Sequence, residues 1–207
     1  MTSSAPRSKK QINRLGETFP KAQIEPAETL FRSHSESNGA LYYCTDGSCR
    51  FDPPRNMKTE YGCCCTATAP ETAVLENLAG APVISTTWAE SHRVSEVTPK
   101  TTHGVADLTA PKSVGLWGIG AEIQVGTIRR QTQSWGRAFR KAGFDGVRHR
   151  SRRANMSGAD CVAFYGRPGE HDDRLQCGEP KPINSHLLRE IERTFGVPHF
   201  PPVPLFD

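Results

Sequence analysis

No apolar run in this sequence approaches the roughly 20 residues that a membrane-spanning helix needs, so a bilayer-crossing role is not expected. The first residues, MTSSAPRSKKQINR, lack the apolar stretch of a secretory leader, which points to the cytoplasm. Phosphate-cradling Walker loops and the Gly-x-Ser-x-Gly elbow of serine hydrolases are both missing. Gly118-Ile119-Gly120 is too short for a dinucleotide fingerprint, and no strand-Gly-helix pattern surrounds it. There is also no internal repeat, helix-turn-helix, zinc-finger or RNA-binding signature.

Cysteine is present in an odd number, seven, with no paired C-x-x-C spacing of the kind a structural zinc site uses. Cys63, Cys64 and Cys65 are consecutive. In a strand they point to alternating faces and cannot all reach one metal, so small core residues are the expected role and no metal is expected. Cys44 and Cys49 form a loose pair without a partner pair, and reduced thiols are the default in a cytosol.

What is present fits one domain. The chain has 207 residues, 36% hydrophobic and 23% charged, enough apolar content for a packed core. A mean hydropathy of -0.55 suggests polar tails or long loops. The net charge of +4 suits an anionic small ligand, an acidic partner or nucleic acid without choosing among them. Residues 1–26 are polar and read as a flexible N-terminal arm, residues 27–196 as the domain, and residues 197–207 as a Pro-rich tail.

Within the domain, residues 29–32 begin an extended segment, residues 41–44 form a second apolar piece, and residues 47–54 are a turn-rich loop. A short strand is expected over 62–66. A helix follows with Pro70 in its first turn, Val74, Leu75 and Leu78 as its apolar stripe, and Gly80 as its stop. Residues 83–88 read as a strand and 89–120 as loops with short strands near 105–108. A helix from Thr127 carries Trp135, Ala138, Phe139 and Ala142 at helical spacing, with Gly143 ending it. Strands over 147–151 and 161–165 come next, then a helix over 185–195 with a Ser N-cap. The mixture lacks a strict βαβ rhythm, so the expected class is α+β, a compact mixed sheet with flanking helices.

Two features stand out chemically. Residues 129–153 carry eight arginines and one lysine against one acid, Asp145. This could be a solvated helix face, a nucleic-acid-binding stretch, or a set of guanidinium forks for a diphosphate. Arg32 and Arg50 each adjoin an aromatic residue, Phe31 and Phe51, which suggests partly buried and therefore paired guanidiniums. Glu76 lies off the apolar stripe of its helix, where an ordinary exposed glutamate would sit.

Taken together, LFR at 30–32, GSCRFDPP at 47–54, APETAVLE at 69–76, DGVRHRSRR at 145–153 and DCVAFYG at 160–166 resemble the RES domain family. The similarity covers roughly residues 28–166 and supplies Arg32, Arg50, Glu76 and Ser151 in the family's order. The resemblance implies an ADP-ribosyltransferase-like core and the toxin half of a bacterial toxin–antitoxin pair, with an Xre-type antitoxin as partner. It also implies NAD⁺ consumption by phosphorolysis or hydrolysis of the nicotinamide–ribose bond, or ADP-ribosyl transfer. NAD⁺ is then a substrate and inorganic phosphate a co-substrate, with no further cofactor. Whether the chain forms a homodimer is left open.

By the same resemblance, Arg50 and Arg32 hold the diphosphate or the adjacent ribose. Glu76 stabilises positive charge developing on the nicotinamide ribose. Ser151 contacts the ribose or nicotinamide end, beside Arg150 and Arg152. The sequence departs from the family at one point: the usual tyrosine eleven positions before the glutamate is Cys65 here, with Tyr61 as the nearest aromatic substitute. Two alternatives stand beside an active enzyme: a nucleic-acid-binding module, on the strength of the basic 129–153 segment, and, because of Cys65, a catalytically degenerate interaction protein.

Overall fold

In the computed structural model, residues 4–154 and 158–200 are described; the tail residues 201–207 lie outside them. In chain order the elements are α1 (Lys9–Thr18), β1 (Lys21–Ile24), β2 (Leu30–Ser35), β3 (Tyr42–Tyr43), β4 (Gly62–Ala67), α2 (Pro70–Asn77), β5 (Ile84–Ser85), α3 (Thr86–Glu90), β6 (His92–Pro99), β7 (His103–Asp107), α4 (Lys112–Trp117), α5 (Ala121–Gln124), α6 (Arg129–Lys141), β8 (Gly146–Arg150), β9 (Asp160–Gly166), β10 (Gly169–Glu170), β11 (Leu175–Cys177), β12 (Lys181–Pro182), α7 (Ser185–Phe195) and β13 (His199–Phe200).

The segment expected to be a flexible arm is structured. Ser8 caps α1 by accepting from the Gln11 amide while the Gln11 side chain reaches back to the Ser8 amide, a capping box. Leu15 and Phe19 are buried in the main core, and β1 pairs antiparallel with β7. Few apolar residues mark this segment, yet Leu15, Phe19 and Ile24 are all buried. Three other expectations change. Residues 83–88 form only a two-residue strand, because Ser85 accepts from the Trp88 amide and starts α3. Residues 89–120 hold the eight-residue β6. The N-cap of α7 is Asn184, one residue before the expected serine.

The architecture is α+β, as expected. Among the described residues nine strands form one mixed sheet in the order β1-β7-β8-β9-β4-β2-β6-β11, with β12 also on β6. Only β7 and β8 run parallel in it; the other neighbours are antiparallel. One face packs against α1 and α6 through Leu15, Phe19, Trp135 and Phe139. Another apolar cluster joins α2, α3 and α7 through Val74, Leu75, Ala89, Leu188 and Ile191.

The feature that matters for function is a split in this sheet. While β4 pairs β9 over six residues and β2 pairs β6 over six, β2 and β4 meet in register only at Phe31↔Ala67. Beyond that pair the two strands part. Arg32 follows the last contact on one side, and Cys65 lies two residues before it on the other. A sheet that opens between two firmly paired halves makes a cleft with backbone walls.

Candidate functional site

The cleft is a cavity of about 380 Å³. Four arginines line it, Arg32, Arg50, Arg129 and Arg152, against one carboxylate, Glu76. Each arrives by a different route. Arg32 comes from β2, Glu76 from the last turn of α2, Arg50 from the loop after β3, and Arg129 from the start of α6.

Glu76 occupies an awkward place. A carboxylate near a helix C-terminus faces the negative end of the helix dipole. The loop after β8 offsets this with three donors, all on Oε1: the Ser151 hydroxyl at 2.7 Å, the Arg152 amide at 2.8 Å and the Arg153 amide at 3.3 Å. No donor among the described residues meets Oε2. The glutamate is therefore half-buried and clamped by one oxygen, rather than swinging on a helix surface.

Ser151 itself is 3% exposed and does not line the cavity. Its hydroxyl donates to Glu76 and accepts from the Arg153 and Ala154 amides at 3.1 and 2.9 Å. The serine expected to contact ligand thus sits behind the glutamate rather than on the cavity wall. Tyr61 also lies elsewhere. It is 1% exposed in the main core, and its hydroxyl donates to the Phe51 carbonyl. It does not substitute for the missing tyrosine, because it sits four residues back along β4's approach, under the Arg50 loop. Cys65 does line the cavity.

Arg32 is 8% exposed, and its one recorded hydrogen bond is from Nη1 to the Cys64 sulfur. It makes no salt bridge among the described residues. A buried guanidinium without a carboxylate is costly unless a ligand supplies the charge. Arg50 is held more fully: Nη1 donates to the Gln124 carbonyl, and Nη2 to His149 Nδ1 and to the Arg150 carbonyl. Burial lowers its pKa, and the nearby Glu76 charge works the other way.

His149 is a residue that the motif reading passed over. Burial first, and the Arg50 charge second, keep its pKa well below the usual histidine value. The ring is thus neutral, and its Nδ1 lies against both the Arg50 guanidinium and the Arg150 carbonyl, the latter at 3.0 Å. Alternation along β8 was the available signal, since His149 shares the inward parity of Val147. Arg129 was also missed as an individual residue; it lines the cavity and donates to the Gly47 carbonyl. Gly136 on α6 brings that helix close, since a Cβ there would lie 2.8 Å from the Phe51 carbonyl beside Arg50.

The basic segment 129–153 does not present one uniform face. Arg137 pairs with Glu60 and Arg148 with Asp160, while Arg129 and Arg152 line the cavity. Arg150, expected at the pocket edge, is exposed and contributes only its carbonyl. Among the described residues no group of three His, Cys, Asp or Glu side chains is arranged to hold a metal ion. No helix among them is long and apolar enough to cross a membrane.

A family model described as the RES domain matches residues 29–184. Among solved structures, a chain of the M. tuberculosis MbcT–MbcA toxin–antitoxin complex is similar, with a TM-score of 0.66 and 18% identity. That match covers 90% of this chain and 99% of the other. No curated protein matches the sequence.

Proposed function

The chain belongs to the RES domain family, and from that premise we propose that it is a toxin-type enzyme that cleaves the nicotinamide–ribose bond of NAD⁺. The observation that carries this reading is the pairing of Arg32, a buried cation with no carboxylate partner among the described residues, with the one-sidedly clamped Glu76 in a single cavity. Such a site suits a ligand that brings negative charge at one end and develops positive charge at the other.

In the proposed reaction Arg32 and Arg50 hold the diphosphate through charge-assisted hydrogen bonds. The C1′–N bond breaks with its electron pair moving to the pyridinium nitrogen, which leaves as neutral nicotinamide. The ribose becomes oxocarbenium-like, and the Glu76 carboxylate stabilises that charge. Phosphate or water then forms the new bond to C1′. Cys65 cannot stack on the nicotinamide as a tyrosine would, so ring placement falls to other wall residues. His149, neutral, packs beside Arg50 and adds no competing charge. The similar fold within a toxin–antitoxin complex supports a protein antitoxin as partner, and the family resemblance favours one of Xre type.

The test is nicotinamide release from NAD⁺ by wild type and by Glu76→Gln. Glutamine keeps the Oε1 acceptor for all three donors but removes the charge. The rate should therefore fall on the order of 10²–10³-fold with little change in stability. Wild-type turnover by the variant would remove Glu76 from the reaction.

A further inference from the structure

Four thiols, Cys44, Cys49, Cys65 and Cys161, line the same cavity as the charged residues, and the function proposed above uses none of them chemically. Cys44 and Cys49 bracket the short 45–48 segment, and the Ser48 hydroxyl lies 3.8 Å from the Cys49 sulfur. Cys44 and Cys49 are partly exposed, whereas Cys63 and Cys64 are sealed in the core. From this geometry we propose that Cys49 is an oxidation site, which a hydroperoxide converts to a disulfide with Cys44.

Several features make Cys49 the reacting sulfur. The neighbouring Cys44 and then Cys65 hold its pKa well below the usual thiol range against the effect of burial; the Ser48 hydroxyl and the Arg32 charge act in the same direction. The Cys49 neighbour first, and burial second, push the Cys44 and Cys65 thiols up, so they stay protonated. A thiolate is the nucleophile toward peroxide, and a resolving thiol beside it is the usual arrangement of a reversible site.

Cys44 is the partner rather than Cys65 because of the backbone. Cys65 is fixed in β4, which is paired along its length with β9. Residues 45–48 form a turn with Gly47 at φ 79°, and no sheet pairing holds them. That turn can bring Cys49 to Cys44 without disturbing the sheet.

The chemistry balances. The Cys49 thiolate attacks one peroxide oxygen, an S–O bond forms and the O–O bond breaks, and the leaving alkoxide or hydroxide takes a proton. The product is a sulfenic acid plus an alcohol or water. The Cys44 sulfur then attacks the Cys49 sulfur, an S–S bond replaces S–O, and the hydroxide leaves with the Cys44 proton as water. The two electrons lost by sulfur reduce the peroxide.

The test uses the full chain, hydrogen peroxide and no nucleotide, so its outcome is independent of any NAD⁺ activity. After oxidation, free thiols are alkylated and the protein is digested with trypsin. Cys44 and Cys49 fall in one tryptic peptide, residues 33–50. Two of the seven thiols should be lost, with that peptide lighter by two hydrogens and restored by dithiothreitol. Cys65→Ser should give the same product, and Cys49→Ser should not. Retention of all the cavity thiols, with only exposed Cys177 consumed, would overturn the proposal. So would a link between peptide 33–50 and the peptide that holds Cys65. The wild-type map decides the matter even if Cys49→Ser does not fold.

Discussion

Ser151→Ala separates a residue that supports Glu76 from one that touches a ligand. The serine hydroxyl gives one donor to a half-buried carboxylate, and hydrogen bonds to charged groups contribute about 1.5–3 kcal/mol. Partial exposure of Glu76 places this one at the lower end. Removing the hydroxyl also strands the Ala154 amide, a loss of about 1–3 kcal/mol. The Arg153 amide keeps a second acceptor in Glu76 Oε1, so it adds little. The total is about 2–4 kcal/mol, or a fall in Tm of roughly 5–15 °C for a chain of this size. Because Ser151 does not line the cavity, kcat for NAD⁺ cleavage should fall while KM stays near wild type. Differential scanning calorimetry and steady-state nicotinamide release measure the two effects. An unchanged Tm, or a raised KM at constant kcat, would refute the supporting role.

Three further predictions concern the cavity walls. Arg32→Met removes a buried cation that has no carboxylate partner among the described residues, so Tm should hold or rise. Pyrophosphate should stabilise the wild type by linkage and the variant much less, and equal stabilisation of both would count against the anion site. The pH dependence of stability should show two opposed groups. His149 has a depressed folded pKa, so its stabilising effect is present above about pH 6.5 and is lost as pH falls below it. Asp52 is pushed up to about 8, first by burial and then by Cys49, so its contribution is present at low pH and lost as pH rises towards 8. Between about pH 5 and 6.5 the two slopes oppose each other in the wild type. Asp52→Asn should therefore become less stable on acidification and His149→Gln more stable, as denaturant melts would show; the reverse signs would contradict both assignments. Gly136→Ala should lower stability by about 1–3 kcal/mol through overpacking against the Phe51 carbonyl, with a matching loss of anion affinity as Arg50 shifts. Unchanged melting and affinity would show that α6 and the Arg50 loop can separate freely.

Much of the site was legible as an ordered set of short motifs, and much of the fold as periodicity. The α2 stripe of Val74, Leu75 and Leu78 is buried, and α6 carries its expected apolar face and ends before Gly143 at φ 87°. What escaped was whatever depends on distant partners. Glu76 looks exposed on its own helix and becomes half-buried only when the loop after β8 folds over it. Ser151 was found by its position, but its role is set by which way the hydroxyl points. The N-terminal helix was missed because it buries little beyond Leu15, although Ser8 and Gln11 spell out its capping box. The long β6 was hidden by its polar residues, since Ser95 and Glu96 separate buried Val94 from Val97 and break a simple alternation. The cleft could not be read locally at all, since it arises from a failure of pairing between two strands more than 25 residues apart in sequence.

The central claim is that this cavity breaks the nicotinamide–ribose bond. The direct measurement is incubation of the folded, reduced protein with NAD⁺, with and without inorganic phosphate, followed by quantification of nicotinamide and of the ribosyl product. One nicotinamide should be released per NAD⁺ consumed, with the ribose C1′ carrying phosphate or hydroxyl. Intact NAD⁺ under both conditions, in the presence of protein shown to be folded, would contradict it.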